Sequence, residues 1–167
     1  GQGLLFVESA DLSAPKNTAL TLGQNTYYFR TTFVLPSVPS GAQLILTNVL
    51  DDGAVFYLNG KELFRENIDP AAVVDFNTAA GLVGDAALTG PHVVPASDLV
   101  AGTNVLAVEV HQVNSGSSDI VFGCALRLEG GAVAAFTPGE ANNVRLTLPE
   151  FPPVWVSEVL ARNSTGI

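Results

Sequence analysis

A single cysteine in 167 residues leaves no internal disulfide and no zinc site built from several thiolates. Methionine is absent, so the chain reads as a mature product or an excised segment of something longer. Charged side chains are only 14% of the residues, against about a quarter in ordinary domains, so Ser, Thr, Asn and Gly must cover much of the surface. Basic residues are scarce, 7 against 16 acidic ones, and the net charge of −9 repels phosphate backbones and anionic surfaces. Nucleic acid is therefore excluded as a partner. No apolar run approaches the roughly 20 residues of a membrane span, and no basic stretch precedes an apolar one, which argues against membrane insertion and against a signal peptide within this sequence. With two histidines and no G-x-S-x-G, H-E-x-x-H or phosphate-loop pattern, no hydrolase centre is spelled out.

What the chain does have is alternation. Period-two patterning predicts an all-β fold with strands at Thr26–Leu35, Gln43–Val49, Ala54–Asn59, Lys61–Arg65, Asn104–Gln112 and Asp119–Glu129, and weaker ones at Leu4–Glu8 and Val144–Leu148. In the first of these, Tyr27, Phe29, Phe33 and Leu35 share the core side, and Tyr28, Arg30 and Thr32 the other. Asn59-Gly60 is a type I′ hairpin signal, which pairs the strands flanking it. Residues 67–99 are rich in Gly and Pro and read as a long connection that contains a short strand or turn and crosses between two sheets. Cys124 falls on the apolar side of its strand and reads as a core thiol. Residues 1–131 form the expected sandwich domain, 132–153 a Pro/Gly/Asn-rich linker, and 154–167 a strand of a following domain or of a partner.

The run from Asp51 to Arg65 (DDGAVFYLNGKELFR), followed by Leu99 to Gln112 (LVAGTNVLAVEVHQ) and by Ser117-Ser118-Asp119, resembles the galactose-binding-domain-like jelly rolls of secreted bacterial multidomain proteins and of sugar-binding modules attached to glycoside hydrolases. Val154 to Ala161 is similar to the opening strand of a lamin-tail-type domain. The resemblance implies an antiparallel jelly-roll β-sandwich of eight or nine strands. It also implies a non-catalytic, secreted or cell-surface bacterial accessory or adhesion module, with a polysaccharide or cell-surface glycan as its partner. The alternatives are a structural spacer, a surface module that self-assembles into homo-oligomers through its C-terminal strand, and, more remotely, a glycan-active enzyme.

Two groups of residues are candidates for a ligand. Asp51 and Asp52, ahead of Gly53, can offer hard oxygen ligands to calcium if Asp119 approaches from a neighbouring strand. The structural alternative is an Asx turn at Asp52, with Gly53 supplying an unusual φ. Glu109 and His111 project from the face opposite Leu106, Val108 and Val110; with Gln112, Asn114 and the Ser115–Ser118 loop they form the densest hydrogen-bonding cluster in the sequence. The structural alternative is a histidine bonded to Asp51 or Asp52. Asp51, Asp52, His111 and Asp119 are expected in one neighbourhood. Tyr28, Tyr57 and Trp155 are candidate aromatic platforms, and His92 reads as an exposed loop residue. For the C-terminal strand a missing downstream domain is favoured over addition to a sheet edge.

Overall fold

The computed structural model describes residues 3–130 and the backbone of 158–160. Ten strands are present there: β1 (Leu4–Val7), β2 (Lys16–Ala19), β3 (Thr26–Leu35), β4 (Gln43–Asp51), β5 (Gly53–Leu58), β6 (Lys61–Glu66), β7 (Ala87–Val94), β8 (Gly102–His111), β9 (Ile120–Glu129) and β10 (Glu158–Leu160). They form two five-stranded sheets, ordered β2-β1-β9-β4-β7 and β10-β3-β8-β5-β6. Pairing is antiparallel except between β1 and β2. This is the all-β jelly-roll sandwich that the alternation predicts, and no helix occurs among the described residues.

The core lies between the sheets. Phe29 and Phe56 from one sheet meet Phe122 from the other, with ring centroids 4.8 Å and 6.3 Å away, and all three are fully buried. Each such ring contributes about 1.5–3 kcal/mol by leaving water, with roughly another 1 kcal/mol per aromatic pair. Cys124 packs in the same cluster. The hairpin at Asn59-Gly60 has positive φ at both residues (51° and 82°) and joins β5 to β6 with Leu58 opposite Lys61.

β2 has no counterpart in the sequence pattern, and β7 is the short strand that the long connection was expected to contain. β2 reads KNTA and is mostly exposed, so it lacks an apolar period. β7 holds Gly90-Pro91 in its middle, which only an edge strand tolerates, and it is the edge of its sheet. Gly90 sits there at φ 94°, where an added Cβ would lie 2.7 Å from the Leu46 carbonyl oxygen.

The connection between β6 and β7 crosses from one sheet to the other, as expected, and in doing so covers part of the outer face of β5 and β8. Ile68 and Ala80 are buried there against Val55, with Tyr57 and Val74 packed beside them. At the other edge of that sheet, Glu158, Val159 and Leu160 pair with Arg30, Phe29 and Tyr28. A following domain was the favoured expectation, with a sheet edge of the same or a neighbouring molecule as the alternative; the backbone of these three residues pairs with a sheet edge of their own chain. The expected strand at 144–148, the linker, Trp155 and the rest of the C-terminal segment lie outside the described residues.

Candidate functional site

The strand ends that carry the acidic residues meet at one end of the sandwich. At the close of β4 two adjacent carboxylates have different surroundings. Asp52 is 1% exposed and fully used: Oδ1 accepts from the Val83 N–H and Oδ2 from the Val113 N–H, both at 2.8 Å. Its carbonyl accepts from Asn67 Nδ2 at 3.0 Å. One side chain thus ties the β4–β5 corner to the long connection and to the loop after β8. An Asx turn was the structural expectation; the caps are instead 31 and 61 residues away in the chain. Gly53 likewise differs in its reason. It has no positive φ, but an added Cβ would stand 2.8 Å from the Ala80 Cβ and 2.9 Å from the Asn67 carbonyl oxygen, so the corner needs the space.

His111 and Glu109 do project together from the outer face of β8, with Nε2 and Oε2 3.4 Å apart. They do not reach solvent. His111 is 0% and Glu109 6% exposed, because the β6–β7 connection folds over them. Thr26 Oγ1 donates to the Phe76 carbonyl at 2.8 Å, so towards His111 Nδ1, 3.0 Å away, it acts as acceptor. The Thr78 carbonyl is also an acceptor, 2.9 Å from Nδ1, which places the ring hydrogen on Nδ1. His111 therefore fastens the connection through Thr26 and Thr78, not through Asp51 or Asp52. Burial, and then the Glu109 carboxylate, push the Tyr57 hydroxyl above its usual range; Tyr28 is raised by burial first, then by Glu109 and Asp75. Tyr28 is buried and Tyr57 half-buried, so neither is an open platform.

Gln112 is 1% exposed and donates through Nε2 to the Asp119 carbonyl at 2.5 Å, while its Oε1 is buried with no partner. Asn114 is exposed and closes its own turn by accepting from the Gly116 N–H at 2.8 Å. Of the expected sugar-facing set, Glu109, His111 and Gln112 are buried, with Glu109 facing His111 and Tyr57, while Asn114 is an exposed turn residue. His92 is also not a loop residue. It is a half-buried member of β7, stacked near Phe64 with centroids 4.6 Å apart.

Asp51 is the other member of the pair and the opposite case. It is 1% exposed, both its carboxylate oxygens are buried, and neither has a hydrogen-bond partner. Oxygens of Asp51, Glu8 and Asp119 all lie within 4.8 Å of one another. Burial first, then a side-chain contact with the Asp52 carboxyl and its charge, then the charges of Asp119 and Glu8, push the Asp51 carboxyl up to about 8. Glu8, which the sequence patterns did not single out, accepts from the Ala10 N–H at 2.6 Å through Oε1 and leaves Oε2 buried and unpartnered. Its only signal was its place at the end of the weak strand Leu4–Glu8. Beside this trio opens a groove of about 560 Å³ lined by Phe6, Val7, Ala19 and Leu20 on the apolar side and by Glu8, Ser9, Ser118 and Asp119 on the polar side. Of the expected neighbourhood, Asp119 and Asp51 come together here with Glu8, whereas Asp52 and His111 serve the adjacent loops.

No protein-family model and no curated protein matches the chain. Among solved structures, it is similar to part of the Streptomyces avermitilis alpha-L-rhamnosidase complexed with L-rhamnose, with a TM-score of 0.42 and 20% identity. The likeness covers 66% of this chain and 9% of that one, so the chain spans a small fraction of the enzyme's length.

Proposed function

We propose that this chain is a non-catalytic glycan-binding module of the galactose-binding-domain-like type, carried by a secreted or cell-surface bacterial protein, with the groove beside Glu8 and Asp119 as its binding surface. The observation that supports this reading is the make-up of the groove. A sugar ring has one apolar C–H face and a rim of hydroxyls, and the groove offers Phe6, Val7 and Leu20 to the first and the carboxylates and hydroxyls of Glu8, Ser9, Ser118 and Asp119 to the second. What supports the non-catalytic reading is that Asp51 is closed to solvent, which leaves Glu8 and Asp119 in the groove with oxygens within 4.8 Å, nearer than the roughly 5–5.5 Å or more between the two carboxyls of a glycosidase.

The test is a glycan array on the full chain, with calorimetry on the hits and on Ala19→Trp. Ala19 is an exposed β2 residue on the groove wall, so the indole would fill the groove without entering the core. Binding that Ala19→Trp removes supports the reading. Silence across plant, algal and bacterial polysaccharides, or binding that Ala19→Trp leaves intact, overturns it and favours the structural spacer.

A further inference from the structure

We propose that His111 and Glu109 form a pH-sensitive latch on the β6–β7 connection: one proton held between His111 Nε2 and Glu109 Oε2 keeps residues 67–86 closed over the outer face of β5 and β8, and its loss as pH rises releases them. The latch is independent of the glycan reading, because it lies beneath the connection and shares no residue with the groove beside Glu8.

The hydrogen on Nδ1 is taken by Thr26 Oγ1 and the Thr78 carbonyl, 3.0 Å and 2.9 Å away. Nε2 is then the open question: it is buried, has no hydrogen-bond partner and stands 3.4 Å from Glu109 Oε2. In a neutral ring it carries a lone pair, so two acceptors would face each other; in an imidazolium both ring nitrogens donate and the contact becomes an ion pair. With 0% and 6% of the two residues exposed, water does not relieve the neutral arrangement. A histidine ordinarily titrates near about 6.5 and a glutamate near about 4.3, so the shared proton rests on Nε2. One imidazolium thereby ties a carboxylate of β8 to a main-chain carbonyl of the connection.

The groups around the pair supply no substitute for that proton. From β3, the Thr26 hydroxyl hydrogen is spent on the Phe76 carbonyl, Tyr28 stands opposite Glu109, and Arg30 is exposed opposite Ala107. β5 places Gly53 opposite His111 and turns the Tyr57 hydroxyl to Glu109, while Arg65 of the neighbouring β6 is paired with Glu62. The connection brings a further negative charge, Asp75, and the Asp52 carboxylate at the corner is satisfied by the Val83 and Val113 N–H groups. When the connection is open and the ring is in water, His111 gives up its proton around pH 6.5. Closure above that pH must take the proton back, so it weakens as pH rises, by at most tenfold per pH unit. The end of the connection at Val83 stays anchored on Asp52, so the span around Thr78 is released first, and Tyr28 and Val55, 3% and 0% exposed when closed, lose their cover.

The experiment is hydrogen exchange on the full chain between about pH 5 and pH 8.5, with nitrogen NMR of the two histidine rings alongside. Protection of the Thr78 and Ala80 amides, corrected for intrinsic exchange and read relative to the β3–β8 ladder, is expected to fall about tenfold or more between pH 6 and pH 8.5. The ladder is the reference because its amides report global opening and the connection reports local opening. His111 Nε2 should lose its hydrogen over the same range. Glu109→Gln keeps the shape and offers an amide N–H to the neutral ring, so protection of the connection becomes independent of pH; His92→Gln, on β7, leaves the profile as it is in the unaltered chain. Protection that stays flat across the range overturns the proposal, as does a fall of equal size in Glu109→Gln. Should Glu109→Gln fail to fold, the NMR of the unaltered chain decides: an Nε2 without hydrogen at pH 6 while the connection is protected overturns the latch.

Discussion

Replacing Asp52 by asparagine tests whether one buried carboxylate holds three loops together. Its two oxygens accept from the N–H groups of Val83 and Val113, both at 2.8 Å, with 1% of the residue exposed. Hydrogen bonds to a charged group are worth about 1.5–3 kcal/mol each, and a buried donor left unpaired costs about 1–3 kcal/mol. Asparagine fits the same space but has one acceptor, so one N–H keeps a weaker partner and the other meets an NH₂ group. The expected loss is roughly 2–4 kcal/mol, a large part of the 5–15 kcal/mol typical of a domain. Urea denaturation measures it directly, and the melting temperature should fall by roughly 5–15 °C for a chain of this length. Hydrogen exchange localises the effect: the amides of Val83 and Val113 lose protection, and so does Ala80, whose N–H bonds the Gln112 carbonyl across the same gap. A loss under about 0.5 kcal/mol, the range of an ordinary surface substitution, with protection unchanged at these amides, would refute the reasoning.

Two further outcomes follow from buried ionisable groups. Because the Asp51 carboxyl is pushed from 3.8 up to about 8, the folded chain keeps a proton that the unfolded chain releases; in EDTA, stability is greatest below pH 4 as far as this group is concerned and declines towards pH 8. At about 1.4 kcal/mol per pH unit the loss between pH 4 and pH 7 reaches about 4 kcal/mol, and Asp51→Asn should abolish it, which urea melts at several pH values check. Burial pushes the Cys124 thiol up to about 12, so the thiolate that reacts with a disulfide reagent is nearly absent in the native state; modification should require global unfolding and accelerate with urea in step with the denaturation curve.

Much of the fold was legible because apolar side chains alternate along its long strands on the side that faces the other sheet. In β3, Phe29 and Leu35 alternate with Arg30 and the exposed Thr32, and the register with β8 keeps Phe29 opposite Val108 inside the core. Where burial does not alternate, the pattern is silent: β2 has almost nothing to bury, and β7 is an edge strand whose Pro91 reads as a strand breaker. The outer face of β8 misled for a different reason. A row of Glu109 and His111 opposite an apolar row reads as a solvent face, and only the path of the β6–β7 connection, set by contacts such as Thr78 to His111 across 33 residues, turns it into an interior.

The acidic corner shows how far chemistry alone can be read. Asp51 and Asp52 are identical in kind and adjacent, and no local pattern assigns them different fates. Their difference arises from what the fold delivers to each: two backbone N–H groups from remote loops to Asp52, and two more carboxylates, those of Glu8 and Asp119, to Asp51. The same carboxylate is complete in one place and unsatisfied in the next. The Asp51 carboxyl, pushed up to about 8, is the one that keeps its proton.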